Sequence, residues 1–315
     1  MSTESICVVG VSGFVGSHVA AALLKRGYAV RGTLRQPDGP AGMWLRQELG
    51  AHGPLSLHAA ELADPEALAR AMGGCTGVVM CAGVETQEPA TVKLMVGAAE
   101  HCLAGARAEG IGRVVFTSST GSTNPPGGEP QPKNELEHWS DPEQQESVGK
   151  WSPAAKTRME NRALELSDDA LRVAIMNPSM IIGPSFAPDP PGGLTFLRAI
   201  LAGERMADGA PDGSMSLIDP RDLAALHVAA LEQPEAQGRY FALVESWHWQ
   251  DILEALGRVH PAYAPPAWPS GRTRITPTQF DFSRRDRLGV KLRGLDDILR
   301  GAVEELARRE MLPGA

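Results

Sequence analysis

Residues 6–35 read as strand, glycine turn, helix and strand in immediate succession. Ile6–Val9 is a short apolar run, and Gly10-Val11-Ser12-Gly13-Phe14-Val15-Gly16 follows it directly. Ser17 to Arg26 is helix-like, with Val15, Val19 and Leu23 four apart on one face. A second β-type run, Tyr28 to Leu34, closes the unit at Arg35. Glycines let the backbone turn tightly and approach a ligand closely. The following helix N-terminus offers unpaired N–H groups and a positive dipole end to an anion. Three glycines alone are a weak signal and also fit an ordinary strand-to-helix turn. Their place between a strand and a helix, at the start of a βαβ pattern, favours a nucleotide pyrophosphate as the guest.

The alternation continues. A turn-rich stretch, Gln36-Pro37-Asp38-Gly39-Pro40, leads to a helix at Met43–Leu49, then a strand at Leu55–Ala60. Asp64-Pro65-Glu66 is a helix start, Asp as N-cap and Pro in the first turn, and that helix runs to about Met72. Gly77–Ala82 reads as a buried strand, Pro89–Ala108 as a long helix and Arg113–Ser118 as a fifth strand. Steady alternation implies a parallel sheet covered on both faces, a Rossmann-type doubly wound α/β fold. Between Ser119 and Lys150 the pattern breaks into a long polar excursion, and loops of that length in a compact domain are usually functional or mobile. A helix from Ser152 to about Leu166 and a sixth strand, Leu171–Met176, follow. Beyond Pro178 the chain is irregular, with helices at Thr195–Ala202, Asp222–Leu231 and Leu295–Arg309. The expected division is a mainly dinucleotide-binding part, 1–176, and a smaller substrate-binding region, 177–315, interleaved with it.

Composition excludes several classes. A net charge of −8, with no block of like charges and no basic stripe, argues against nucleic acid or an anionic membrane as partner. Cys7, Cys75, Cys81 and Cys102 have no metal-ligand spacing and read as small buried hydrophobes. The eight histidines show no zinc pattern, and Gly-x-Ser-x-Gly is missing from any strand–helix junction, so neither a metal site nor a serine hydrolase is expected. Met1-Ser2-Thr3-Glu4 has no basic region and leads straight into a strand, so no signal peptide, no membrane span and a cytoplasmic location are expected.

The nucleotide is indicated by the end of the second strand. An acidic residue there would hold the ribose hydroxyls of NAD, but the chain reads Thr33-Leu34-Arg35-Gln36. Arg35 fits a 2′-phosphate instead, so NADP(H) is the expected cofactor. Glu61 and Leu62, after the third strand, fall where the adenine edge would lie. Ala82 and Gly83, after the fourth, are small enough for the cofactor backbone to pass.

At the fifth strand a family resemblance becomes specific. Arg113-Val114-Val115-Phe116-Thr117-Ser118-Ser119 resembles the serine-bearing strand end of the extended short-chain dehydrogenase/reductases. Gly10-x-x-Gly13-x-x-Gly16 matches that family's glycine pattern, and Asn177-Pro178-Ser179-Met180-Ile181-Ile182-Gly183-Pro184 its stretch after the sixth strand. Val30–Arg35, Gly74–Val78, Asn124, Phe241-Ala242 and Leu288-Gly289-Val290 are similar to dihydroflavonol 4-reductases and to cinnamoyl-CoA or anthocyanidin reductases. The resemblance covers nearly the whole chain. It implies NADPH-dependent carbonyl reduction by a Ser, a Tyr and a Lys, the last two facing the nicotinamide from one helix. The Lys holds the ribose and lowers the Tyr pKa, the Tyr protonates the substrate oxygen, and the Ser steadies that oxygen. Cofactor contacts carried over are Gly10, Ser12, Gly13, Phe14, Val15, Gly16, Thr117, Lys156, and Pro178 and Ser179 at the carboxamide.

Ser119 takes the serine role and Lys156 the lysine role. Four residues before Lys156 stands Ser152, not tyrosine, preceded by Trp151. The tyrosines are Tyr28, Tyr240 and Tyr263, none near this helix in sequence. Three accounts compete. The chain reduces a carbonyl with water, Ser152 or the substrate relaying the proton. Alternatively it binds NADP(H) for a non-redox step, such as cyclisation or dehydration, or as a nucleotide-responsive binding protein. Or Ser152 replaces the tyrosine of an active reductase, naturally or by engineering. Asn124 divides between a turn-former and a substrate hydrogen-bonding group. His138 and Trp139 are candidates to line the pocket. Phe186, Phe196, Met215, Leu217 and Trp247 are candidates for substrate contact, though each taken singly suits the core. Asp219 and Asp222 suit capping. The relatives suggest an aromatic or polyketide-like small-molecule substrate and a monomer or homodimer.

Overall fold

The computed structural model describes residues 4–83, 86–128 and 130–313; the N-terminal reading of Met1–Thr3 lies outside them. In chain order the elements are β1 (Ser5–Val9), α1 (Phe14–Lys25), β2 (Ala29–Leu34), α2 (Pro40–Leu49), β3 (Leu55–Ala59), α3 (Pro65–Met72), β4 (Gly77–Met80), α4 (Pro89–Ala108) and β5 (Arg113–Thr117). Then come α5 (Pro142–Ser147), α6 (Trp151–Glu165), β6 (Arg172–Asn177), β7 (Met180–Ile181), α7 (Gly192–Leu201), β8 (Ser214–Ile218) and α8 (Pro220–Glu232). β9 (Gly238–Phe241), β10 (Ser246–His248), α9 (Trp249–Val259), α10 (Ser283–Arg287) and α11 (Leu295–Arg308) complete the chain.

The main sheet runs β3-β2-β1-β4-β5-β6-β9, and all its pairs are parallel. One face is covered by α1 and α8, whose Val19, Leu23, Leu226 and Leu231 meet Val8, Val79 and Val115 of the sheet. The other is covered by α3, α4 and α6, through Leu68, Met72, Met95, Leu103, Ala155 and Met159. This is a Rossmann-type doubly wound α/β fold. A smaller sheet, β10-β8-β7, and helices α7, α9 and α11 form a separate cluster around Leu197, Leu253 and Leu299. No helix among the described residues is long and apolar enough to cross a membrane.

Most elements stand where periodicity places them, with ends shifted by a few residues. Asp64 caps α3 by accepting from Ala67 N, and Asp219 caps α8 by accepting from Arg221 N. The seventh main strand, β9, was not expected, nor were β8, β10 and α9. β9 carries a charged residue, Arg239, that is 1% exposed, so it does not read as an apolar run. α9 is capped by His248, whose side chain accepts from Gln250 N, and histidine is not among the usual start signals.

The strand order reverses between β1 and β4. In open parallel sheets ligands bind outside the carboxyl ends of the strands at such a switch point. The connections leaving β1, β4, β5 and β6 at that edge carry Gly10–Gly13, Ala82–Gly83, Ser118–Ser119 and Pro178–Ser179.

Candidate active site

The turn after β1 is held by the neighbouring strand. Gly10 N donates to Thr33 Oγ1 at 3.2 Å, and Val11 N to Thr33 O at 3.1 Å. Gly10 has φ +82°, and a Cβ there would lie 2.7 Å from Ala82 Cα. A Cβ on Gly16 would lie 2.2 Å from Gly10 O, so this glycine lets α1 pack against the turn. Gly13 is the N-cap of α1 and offers no side-chain cap. The first-turn N–H groups of Phe14 and Val15 are therefore unclaimed by a cap and open on a cavity of about 1000 Å³.

That cavity brings together most of the residues expected from the sequence. Gly10, Ser12, Gly13, Phe14, Val15, Arg35, Glu61, Leu62, Ala82, Gly83 and Thr117 line it, with Ser119, Ser152, Lys156, Pro178 and Ser179. Gly16 supports it from behind. Arg35 is exposed at the β2 end and has no carboxylate partner among the described residues. The cradle fits a dinucleotide: an uncapped helix N-terminus, a glycine turn that a Cβ would fill, and a cation at the far end.

Lys156 and Ser152 project from the first turns of α6. Lys156 Nζ donates to Thr117 O at 3.0 Å, and a Cβ on Gly83 would lie 3.3 Å from that nitrogen. Ser119 Oγ accepts from Gly121 N at 3.1 Å, which leaves its O–H free to donate. Ser152 N donates to Gln87 Oε1 at 3.3 Å, and Gln87 lines the same cavity. Gln87 was missed from the sequence.

Beneath the site lies a buried polar cluster that sequence reasoning also missed. Glu160, one helical turn beyond Lys156, is 0% exposed and pairs with Arg239 at 2.7 Å. Its Oε1 accepts from Ser118 Oγ, from Ser122 Oγ at 2.5 Å and from Asn177 Nδ2 at 2.7 Å. Ser119 O in turn accepts from Asn177 Nδ2 at 3.1 Å. The segment presenting Ser119 is thus tied to the helix carrying Ser152 and Lys156. On the far side Thr117 Oγ1 lies 2.7 Å from His227 Nε2, while His227 Nδ1 is 2.8 Å from Leu223 O. A carbonyl only accepts, so Nδ1 carries the proton and Thr117 donates to Nε2. Burial holds the His227 pKa down to about 4 and pushes the Cys81 thiol up to about 12.

Other candidates lie elsewhere. Asn124 does not line the cavity; its Oδ1 accepts from Lys133 Nζ and its N–H donates to Ser140 Oγ. His138 Nδ1 accepts from Asn134 N, and Trp139 stacks under the Arg239 guanidinium at 3.6 Å. Leu217 is in the core, Phe196 packs on Trp249, and Phe186 packs on His18. Met215 and Trp247 pack against the C-terminal cluster. None of these five lines the cavity, whereas Ile181 does.

Residues 6–243 match the model of the NAD dependent epimerase/dehydratase family. The chain belongs to this family. Within it, the chain is 30% identical to cinnamoyl-CoA reductase 1 of Petunia hybrida, over 99% of this chain and 95% of that protein. It is similar in fold to vestitone reductase from alfalfa (Medicago sativa), with a TM-score of 0.84 at 22% identity over 98% of this chain and 100% of that one. The yeast methylglyoxal/isovaleraldehyde reductase, solved in complex with NADPH, gives a TM-score of 0.82 at 21% identity, covering 98% of this chain and 99% of its own.

Proposed function

We propose that this family member is an NADPH-dependent carbonyl reductase in which Ser152 occupies the place of the family's tyrosine. One observation carries the reading. A single cavity gathers the glycine turn, Arg35, Ser119, Ser152 and Lys156. The reductase names of its relatives, at 30% and 31% identity over 95% and 94% of their length, point the same way. An aromatic or polyketide-like carbonyl compound is the proposed substrate.

Gly10–Val15 would hold the pyrophosphate, Arg35 the 2′-phosphate, and Pro178 and Ser179 the carboxamide end. NADPH, when bound, supplies a hydride. The chain's own task is to hold the substrate oxygen and bring one proton to it. Ser119 Oγ–H donates a hydrogen bond to that oxygen. Ser152 Oγ–H transfers the proton as negative charge develops there. A serine hydroxyl has no suitable pKa of its own, so the Lys156 ammonium, one turn along the same face, returns a proton to Ser152 Oγ.

The test is NADPH carrying deuterium at the transferable position, incubated with aryl ketones, aryl aldehydes and aromatic thioesters. Deuterium in the product is expected, with a gain of about 10²-fold in kcat/KM for Ser152→Tyr, the low end of what a matched general acid contributes. Unlabelled product, or no product from either form, refutes the reading.

A further inference from the structure

We infer that Gln87 contacts the substrate in this site, its side-chain amide N–H groups holding the carbonyl oxygen that Ser152 protonates. The inference rests on the reductase reading and deepens it. Helix α6 starts without a side-chain cap at Lys150, so its first N–H groups need partners from elsewhere. Gln87, from the segment between β4 and α4, supplies one: its Oε1 accepts from Ser152 N at 3.3 Å. A backbone N–H can only donate, so the oxygen of the Gln87 amide must be the end facing Ser152. That settles the orientation of the whole group. Nε2, with two protons to donate, is the other end, and it makes no hydrogen bond among the described residues. Gln87 lines the cavity together with Ser119, Ser152, Pro153 and Lys156. An amide donor pair, oriented by that one hydrogen bond on an exposed side chain, is therefore offered in the cavity that Ser152 also lines.

An amide does not release a proton near neutral pH, so Gln87 is no replacement acid. It can do the other half of a phenol's work. Donors aimed at an oxygen that becomes negative each contribute about 10²–10³ in rate when they are held in place beforehand. The tyrosine of the family unites holding and protonation in one group. Here they separate: Gln87 and Ser119 hold the oxygen, while Ser152, backed by Lys156, protonates it.

Gln87→Glu distinguishes this role from that of a helix cap. The introduced carboxylate has the same shape, still accepts from Ser152 N, and suits a helix N-terminus better than the amide does. A cap alone predicts an unchanged or raised Tm and unchanged turnover. A substrate donor predicts an unchanged Tm, an unchanged Kd for NADPH, and kcat/KM lowered about 10²-fold at pH 8. Part of that loss should return as the pH falls and the introduced carboxyl regains a proton to donate; the parent protein should lack this limb. A kcat/KM within twofold of the parent overturns the inference.

If the parent transfers no hydride, the reductase reading falls separately. The contact is then judged on acetophenone labelled with ¹³C at the carbonyl, added to the protein with NADP⁺. A carbonyl resonance at lower field in the parent than in Gln87→Glu upholds it, because donated hydrogen bonds deshield that carbon. The same resonance in both overturns it.

Discussion

Removing the cation from the Glu160–Arg239 pair should nearly unfold the protein, whereas removing both charges should cost little more than removing one. The two side chains are 0% and 1% exposed, with 2.7 Å between Arg239 Nε and Glu160 Oε2, so solvent does not screen them. Burial pulls the Arg239 pKa down, and the Glu160 carboxylate opposes that pull. Arg239→Met leaves a bare carboxylate held by Ser118, Ser122 and Asn177, and Glu160→Gln leaves a bare guanidinium. Breaking a buried pair from one side typically costs about 3–5 kcal/mol, a large part of the roughly 5–15 kcal/mol that holds a domain folded.

The double variant Glu160→Gln/Arg239→Met removes both charges of the pair, and the neighbouring Glu135, 1% exposed, keeps Arg284 at 3.9 Å. It still leaves Ser122 O, Glu135 O and His138 O without the donors that Arg239 now provides at 2.9, 2.7 and 3.1 Å. Its cost should therefore resemble that of one single variant, a coupling of about 3 kcal/mol between the two sites. Urea unfolding of the four proteins, extrapolated linearly to water, measures this directly. Additivity to within about 0.5 kcal/mol would refute the reasoning, because independent sites behave that way.

Arg35→Ala should weaken NADPH binding about 10–100-fold while leaving NADH binding nearly unchanged, as expected for a charge-assisted bond to a 2′-phosphate; equal losses in a fluorescence titration would refute that assignment. His18 and His227 are both held down to about 4 from 6.5, chiefly by burial, although a carbonyl hydrogen bond opposes the shift in each. Below pH 6.5 the unfolded chain binds protons on these groups that the folded chain does not, so their contribution to stability should fall as the pH drops from 6.5 to about 4 and change no further below that. Each group contributes roughly 3 kcal/mol over this window, and His227→Gln should flatten the profile in Tm against pH; an unchanged slope would contradict it.

The half of the site proposed for the cofactor is legible in the sequence because its signals are local. A turn that must bring Gly10 to 2.7 Å from Ala82 and Gly16 to 2.2 Å from Gly10 O, measured to added Cβ atoms, tolerates no side chain. It writes itself into the sequence as spaced glycines. Arg35 lies one residue beyond β2, so counting along the chain locates it. The pairs that shape the other half are distant in sequence. Ser152 and Gln87 are 65 residues apart, and no periodicity relates them. Arg239 is buried in β9 where Glu160 meets it from α6 and the Ser122, Glu135 and His138 carbonyls accept from it, and none of these residues announces the others. Asn124 shows the reverse case. It resembles a family position, yet its side chain is turned to Lys133 and away from the cavity.

The same geometry bears on what a tyrosine restored at position 152 could achieve. Gln87 Oε1 lies 3.3 Å from Ser152 N at the first turn of α6. A phenol ring on the same Cα would share that neighbourhood with the amide. Ser152→Tyr therefore adds a proton donor, worth up to about 10⁴, and crowds a hydrogen-bond donor worth about 10², so the expected gain of about 10²-fold in kcat/KM is what remains of the first after the second. In that background the amide has lost its place beside the substrate oxygen, so Gln87→Glu should cost far less than it does in the parent. Equal losses in the two backgrounds would mean that the amide and the ring do not share this space, and that holding and protonation remain separate even with a tyrosine present.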